Sequence, residues 1–199
     1  MSWESSIKGF KSYLQIERSL SKNSVQAYIR DIKKFANYAI PLKLNELNIQ
    51  RENISDFLAE LKDIGVAARS QARIISGIKA FYRYLIIEDY IKHDPTELIE
   101  SPKVGFKLPN TLSLIEIDKL ISAVDLSNKQ GERNRAILET LYSCGLRVSE
   151  LTNLKISNIY FKEGYLKVIG KGNKERLAPI GGRALKYLTT YINEVRNHQ

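Results

Sequence analysis

At 199 residues, with 43% hydrophobic and 27% charged side chains, the chain has the size of one large or two small globular domains. Its formal net charge of +9 is unevenly spread, with 15 basic against 13 acidic residues in 1–101 and 16 against 9 in 102–199; this points to a polyanionic partner or, more plainly, to a basic surface. No stretch approaches the ~18 apolar residues of a membrane span, Met1-Ser2-Trp3-Glu4 opens no signal peptide, and a lone Cys144 excludes an internal disulfide or a thiolate zinc cluster, which fits a reducing cytoplasm.

Residues 1–100 read as helices. Val25, Tyr28, Ile29, Ile32, Phe35, Ala36 and Ala39 follow helical spacing, with Ser21 or Asn23 available as a cap and Pro41 closing the segment. Ile54, Phe57, Leu58 and Leu61 give a shorter helix that Gly65 can stop. A longer one is expected from about Ala67 to Glu88. At ~100° per residue its Ile74, Ile75, Ile78, Phe81, Tyr82 and Leu85 share one face. Arg69, Arg73, Ser76, Lys79 and Arg83 fall nearly opposite, without an acid among them. A solvated charged face is one reading of that stripe. The lack of interleaved acids favours the other, a surface for phosphates or a DNA groove.

Between His93 and Leu112 the pattern breaks at Asp94-Pro95, Ser101-Pro102 and Leu108-Pro109, which marks an interdomain linker. Lys103 and Lys107 within it could follow a nucleic-acid backbone. Ser113-Leu114-Ile115-Glu116 is a capping box opening a helix through Ile117, Leu120, Ile121 and Val124. The next helix, from Arg133 to about Tyr142, is expected to bury Ile137, Leu138 and Leu141. A third runs from near Arg147 towards Leu154. The period then changes to two: 159–161, 165–169 and 176–180 read as three short antiparallel strands joined by turns at 162–164 and 170–175. From Gly182 a last helix is expected to bury Leu185, Leu188, Tyr191, Ile192 and Val195.

Two segments carry possible chemistry. Cys144-Gly145-Leu146-Arg147-Val148-Ser149-Glu150-Leu151 puts an arginine beside a glycine turn at a helix start, where backbone N–H groups favour an anion; a guanidinium there can grip two phosphate oxygens. Ile169-Gly170-Lys171-Gly172-Asn173-Lys174-Glu175-Arg176 puts a lysine at the tip of a hairpin, placed to stabilise an oxyanion or protonate a leaving alkoxide. Taken separately, a Gly-Lys-Gly turn and a structural arginine are equally ordinary features. The phosphate-loop spacing is absent, no carboxylate cluster suits paired metals, and His93 and His198 are isolated, structural or solvent-exposed residues.

Together these segments, 24 residues apart from Arg147 to Lys171, closely resemble the bacterial Xer-type tyrosine site-specific recombinases, relatives of the phage integrases. Ser19-Leu20-Ser21-Lys22-Asn23-Ser24 with Tyr28, and the linker from Ser101-Pro102-Lys103 to Leu112-Ser113, extend the resemblance over essentially the whole chain. It implies a mainly α fold with a small antiparallel three-stranded sheet: a helical, SAM-like core-binding domain (1–100), a linker (101–112), and the first part of an α+β catalytic domain (113–199). It also implies that Arg147 clamps the scissile phosphate and that Lys171 is the general acid for the departing 5′-oxygen. Glu150 would support the arginine, with helix capping as its alternative role. Arg69, Arg73, Ser76, Lys79, Arg83, Lys103, Lys107, Lys174 and Arg176 would contact DNA. The family's two domains close on the duplex like a clamp. Its chemistry, transesterification through a 3′-phosphotyrosine, needs no metal or nucleotide cofactor. The implied partners are double-stranded DNA and homologous protomers in a synaptic tetramer, with no membrane, in the cytoplasm at a bacterial nucleoid.

The sequence departs from the family pattern at Cys144, often Thr, and Asn158, often Asp. The larger departure is that no His-x-x-Arg occurs in the 199 residues and none of the 11 tyrosines has the nucleophile's context. The expectation is a recombinase cut short that binds but does not cleave DNA. The alternatives are a standalone, non-enzymatic DNA-binding protein derived from a recombinase, and a tyrosine supplied in trans. A last helix with nothing beyond it is expected to expose apolar surface.

Overall fold

A computed structural model describes residues 2–106 and 108–196, and for Lys171 only the backbone. The chain divides into two compact units, Met1–Lys107 and Leu108–Gln199. The expected contact residue Lys107 and His198 lie outside the described residues.

The first unit holds four helices: α1 Trp3–Ile16, α2 Lys22–Ala39, α3 Arg51–Asp63 and α4 Ala68–Ile87. Ser21, rather than Asn23, caps α2, its Oγ accepting the Ser24 N–H at 3.3 Å, a contact worth about 1 kcal/mol. Helix α1 has no separate place in the sequence reading, yet it supplies Trp3 and Phe10 to an aromatic core. Trp3 stacks on Phe81 at 5.9 Å and meets Phe35 edge-on at 5.7 Å, while its indole N–H donates to the Leu44 carbonyl at 3.0 Å. Helix α4 buries the face expected of it, Ile74, Ile75, Ile78, Phe81, Tyr82 and Leu85. Residues 88–113 contain no helix or strand among those described.

The second unit contains α5 Leu114–Ser122, α6 Gly131–Cys144, the short α7 Val148–Thr152, strands β1 Ile159–Tyr160, β2 Tyr165–Ile169 and β3 Glu175–Pro179, and α8 Gly182–Thr190, which continues as a wider turn over Tyr191–Val195. The three strands form one antiparallel sheet in the order β1-β2-β3, with Leu166 opposite Ala178 and Val168 opposite Arg176. The Ser113–Glu116 capping box forms as expected. Strand β3 begins at Glu175, one residue early, because the Gly170 N–H donates to the Lys174 carbonyl at 2.8 Å and closes the hairpin sooner. Helix α5 stops at Ser122, short of Val124, where Asp125 turns the chain by accepting from the Ser127 N–H at 2.9 Å.

Helix α6 differs most from its expected packing. It buries Ala136, Glu139, Thr140 and Cys144, and leaves Ile137, Leu138 and Leu141 half-buried. The reason is a charge on α8: Arg183 pairs with buried Glu139 and, at 2.8 Å, with Asp118 of α5, so the small and acidic side of α6 turns inward. On α8, Ala184 and Leu188 are buried together with Ile192, whereas Leu185, Tyr191 and Val195 are half-buried. An apolar cavity of about 200 Å³ opens between Ile137, Leu154, Ile159, Leu188 and Ile192. No helix among the described residues is long and apolar enough to cross a membrane.

Candidate phosphate and DNA site

The end of α6 builds the first part of the site. Gly145 takes the left-handed conformation, φ 56°, and its N–H donates to the Leu141 carbonyl, the helix stop for which glycine is favoured because it has no Cβ to clash. Leu146 is then buried, and Arg147 becomes the N-cap residue of α7 with extended backbone. One turn along, Glu150 reaches back. Its Oε2 accepts the Arg147 backbone N–H at 2.8 Å, and its Oε1 accepts from Arg147 Nη1 at 2.8 Å. The two roles open for Glu150, capping the helix and holding the arginine, are thus filled by one carboxylate.

A third donor comes from the sheet. Arg176 on β3 donates from Nη2 to Glu150 Oε2 at 2.9 Å. The Glu150 side chain is 2% exposed, against 68% for Arg147 and 40% for Arg176. A buried single negative charge therefore carries two guanidiniums whose outer edges face solvent, and the cluster retains a net positive charge. The Arg147 backbone N–H, and after it the Arg147 and Arg176 guanidiniums, hold the Glu150 carboxyl below its ordinary range against the opposing effect of burial. Arg176, expected to contact DNA, is also a partner of Glu150.

The lysine hairpin is rooted at the same place. A Cβ added to Gly170 would sit 3.1 Å from Glu150 Oε1, so the absence of a side chain lets the hairpin lie against the carboxylate. Residues 171–173 make a tight turn with Gly172 at φ 75° and Asn173 at φ 59°. The backbone of Lys171 is thereby anchored next to the Arg147–Glu150–Arg176 cluster, and Lys174 is exposed beside it. Cys144 is buried, and burial pushes its thiol up.

In the first unit, Arg69, Ser76 and Arg83 of the stripe are exposed and Lys79 is half-buried. Ser76 Oγ donates back to the Ala72 carbonyl at 2.9 Å. Arg73 differs from expectation: its guanidinium pairs with Asp31 of α2, whose side chain is only 2% exposed. The acid missing from the α4 stripe is supplied by the neighbouring helix, which fixes Arg73 at the α2–α4 seam. Asp31 was not singled out in the sequence, although an aspartate beside Ile32 and Phe35 on the core side of a helix was a readable signal. Lys103 is exposed.

Residues 7–89 match the phage integrase N-terminal SAM-like domain, and residues 110–199 match the phage integrase family. Tyrosine recombinase XerD of Staphylococcus haemolyticus is 43% identical over 195 residues, covering 98% of this chain and 66% of that protein. The chain belongs to the phage integrase family of tyrosine recombinases. Tyrosine recombinase XerD of Staphylococcus aureus strain Mu50 is 41% identical over 194 residues, covering 97% of this chain. The family chain described here spans 66% of the length of each of these two relatives. Among solved structures, a lambda integrase dimer bound to a COC′ core site gives a TM-score of 0.76 at 22% identity, covering 98% of this chain and 68% of that one. A lambda integrase tetramer bound to a Holliday junction gives 0.72 at 22%, covering 93% and 53%. At that identity the likeness establishes the fold: a helical SAM-like unit and part of the integrase catalytic domain.

Proposed function

We propose that this chain is the DNA-gripping part of a bacterial tyrosine site-specific recombinase, with residues 1–100 as its core-binding domain, 101–112 as a linker, and 113–199 as the first part of its catalytic domain. The observation that carries the reading is the Arg147–Glu150–Arg176 cluster with the Lys171 hairpin seated on it. A guanidinium held rigidly by a buried carboxylate stays charged at any working pH and can bind two phosphate oxygens at once. In this role Arg147 clamps the scissile phosphate and stabilises the charge that builds up as the phosphorus is attacked. Lys171 gives a proton to the departing 5′-oxygen. In the complete family enzyme the attacking group is a tyrosine, which leaves a 3′-phosphotyrosine; this sequence carries no His-x-x-Arg box.

Arg69, Ser76, Lys79 and Arg83 of α4 take the phosphates and groove edges of the same duplex. Lys103, Lys107 and Lys174 add backbone contacts. The partners are double-stranded DNA and further protomers in a synaptic tetramer, in the bacterial cytoplasm at the nucleoid.

Fluorescence anisotropy on duplex DNA across a salt series tests this. Binding should weaken steeply with salt, and Arg69→Ala and Arg83→Ala should each lower affinity and reduce the salt slope by about 1. Unchanged affinity and slope in both variants would remove α4 from the interface.

A further inference from the structure

Arg73 stands apart from the other cations of the α4 stripe. Arg69, Lys79 and Arg83 enter no ion pair among the described residues, so each brings a whole positive charge on a flexible stem. Arg73 donates from Nη1 to Oδ2 of Asp31, and its Nε and Nη2 meet no acceptor among the described residues. The Asp31 side chain is 2% exposed and that of Arg73 45%. The pair is rooted in the core and open at its far edge.

Two features lock the carboxylate in place. Gly77, one turn past Arg73 on α4, lets the two helices come together: a Cβ there would lie 2.8 Å from the Asp31 Cβ and 3.4 Å from its Oδ2. A glycine inside a helix is destabilising in itself, and this close approach accounts for it. The second carboxylate oxygen, Oδ1, is buried without a hydrogen-bond partner among the described residues. Arg73 therefore cannot swing out to follow a phosphate without stranding a buried acid.

We infer that Asp31 is a positioning residue for sequence recognition, holding the free Nε–Nη2 edge of Arg73 to read a guanine in the major groove; this rests on the reading of α4 as a DNA-facing helix. Three properties favour a base edge over a phosphate. The ion pair carries little net charge, so it adds little to the counterion-driven grip on the backbone, while its directed N–H groups remain. Base acceptors demand a fixed fork, and a guanidinium tethered at one nitrogen supplies it. Its Nε and Nη2 hydrogens lie side by side, spaced for the O6 and N7 acceptors of guanine. The neighbouring positions on α4 are small: Ser70 and Ser76 are exposed, and Ser76 Oγ is turned back to the Ala72 carbonyl at 2.9 Å. A duplex can come close there without meeting a long side chain.

A duplex library with a randomised core, selected on the unaltered chain and sequenced, supplies the probe. Fluorescence anisotropy then compares the selected duplex with copies in which one guanine at a time is replaced by 7-deazaguanine, which lacks the N7 acceptor but keeps the charge and the base pairing. One position should cost the unaltered chain about tenfold in affinity, and that penalty should shrink to about twofold or less in Asp31→Asn. Affinity of the same variant for an unrelated duplex should rise, because Arg73 then carries an unneutralised charge. A merely structural role for the pair would lower both affinities together. Arg73→Lys keeps the ion pair but has no planar fork; it should lose the same discrimination, and it keeps the test decisive even where Asp31→Asn does not fold. A guanine penalty that survives Asp31→Asn or Arg73→Lys overturns the inference. So does DNA binding with no dependence on any single guanine, which leaves the proposed function standing. A chain that binds no duplex even at low salt contradicts the proposed function itself, and this inference with it.

Discussion

A carboxylate buried between two guanidiniums and a backbone N–H has little freedom to move, and Glu150 passes that rigidity to Arg147. The arrangement has a pH signature. The folded-state pKa of Glu150 lies below its ordinary value of 4.5, so its stabilising contribution is complete above that value and disappears as pH falls through the lowered folded pKa. Thermal unfolding followed from neutral to strongly acidic pH should therefore show an acid-side loss that Glu150→Gln reduces. The same substitution should weaken DNA binding at neutral pH, because Arg147 loses its anchor. An unchanged acid limb in Glu150→Gln would place the loss elsewhere. Arg147 was legible from its place beside a glycine turn at a helix start, and Glu150 through the family resemblance. The bond from Glu150 to Arg176, 26 residues away, was not, because it depends on the register of a hairpin that no local pattern specifies.

At the scale of elements, caps and periods were legible and packing partners were not. Ser21 and the Ser113–Glu116 pair announced two helix starts, and the alternation in 165–169 announced the central strand. The inward turn of α6 depends on Arg183, which lies 44 residues beyond Glu139, and no periodicity within α6 carries that information. The α2–α4 seam is a similar case. Removing Arg73 leaves Asp31 buried beside an apolar core, and a buried polar group left without its partner costs about 1–3 kcal/mol, more when it is charged. Arg73→Ala should therefore lower the melting temperature, and Asp31→Asn in the same chain should recover part of the loss. Arg69→Ala, on an exposed side chain, should change stability by no more than about 0.5 kcal/mol. Equal stability of Arg73→Ala and the unaltered chain would mean that the ion pair is immaterial to the seam.

At the scale of the molecule, two units have separate cores. The first offers a long helix with a basic outer face, and the second offers a fixed guanidinium next to a lysine-bearing turn. The mainly helical fold with its three-stranded sheet was legible because most of its elements, α1 excepted, announce their own period. The last helix was expected to expose apolar surface, whereas its Leu188 and Ile192 are buried and line a small cavity with α6 and α7, whose lining could not be named without the packing of α6.

On the proposed reading, the chain grips DNA at a phosphate site without completing strand cleavage. A nicked suicide duplex carrying a candidate recombination site, in which a cleaved strand cannot be rejoined, tests it most directly when run beside a salt-titrated binding assay on the same DNA. Salt-dependent binding with no covalent protein–DNA adduct is expected, and Arg147→Ala should weaken it. A covalent adduct would mean that one of the 11 tyrosines is a nucleophile and would contradict the account.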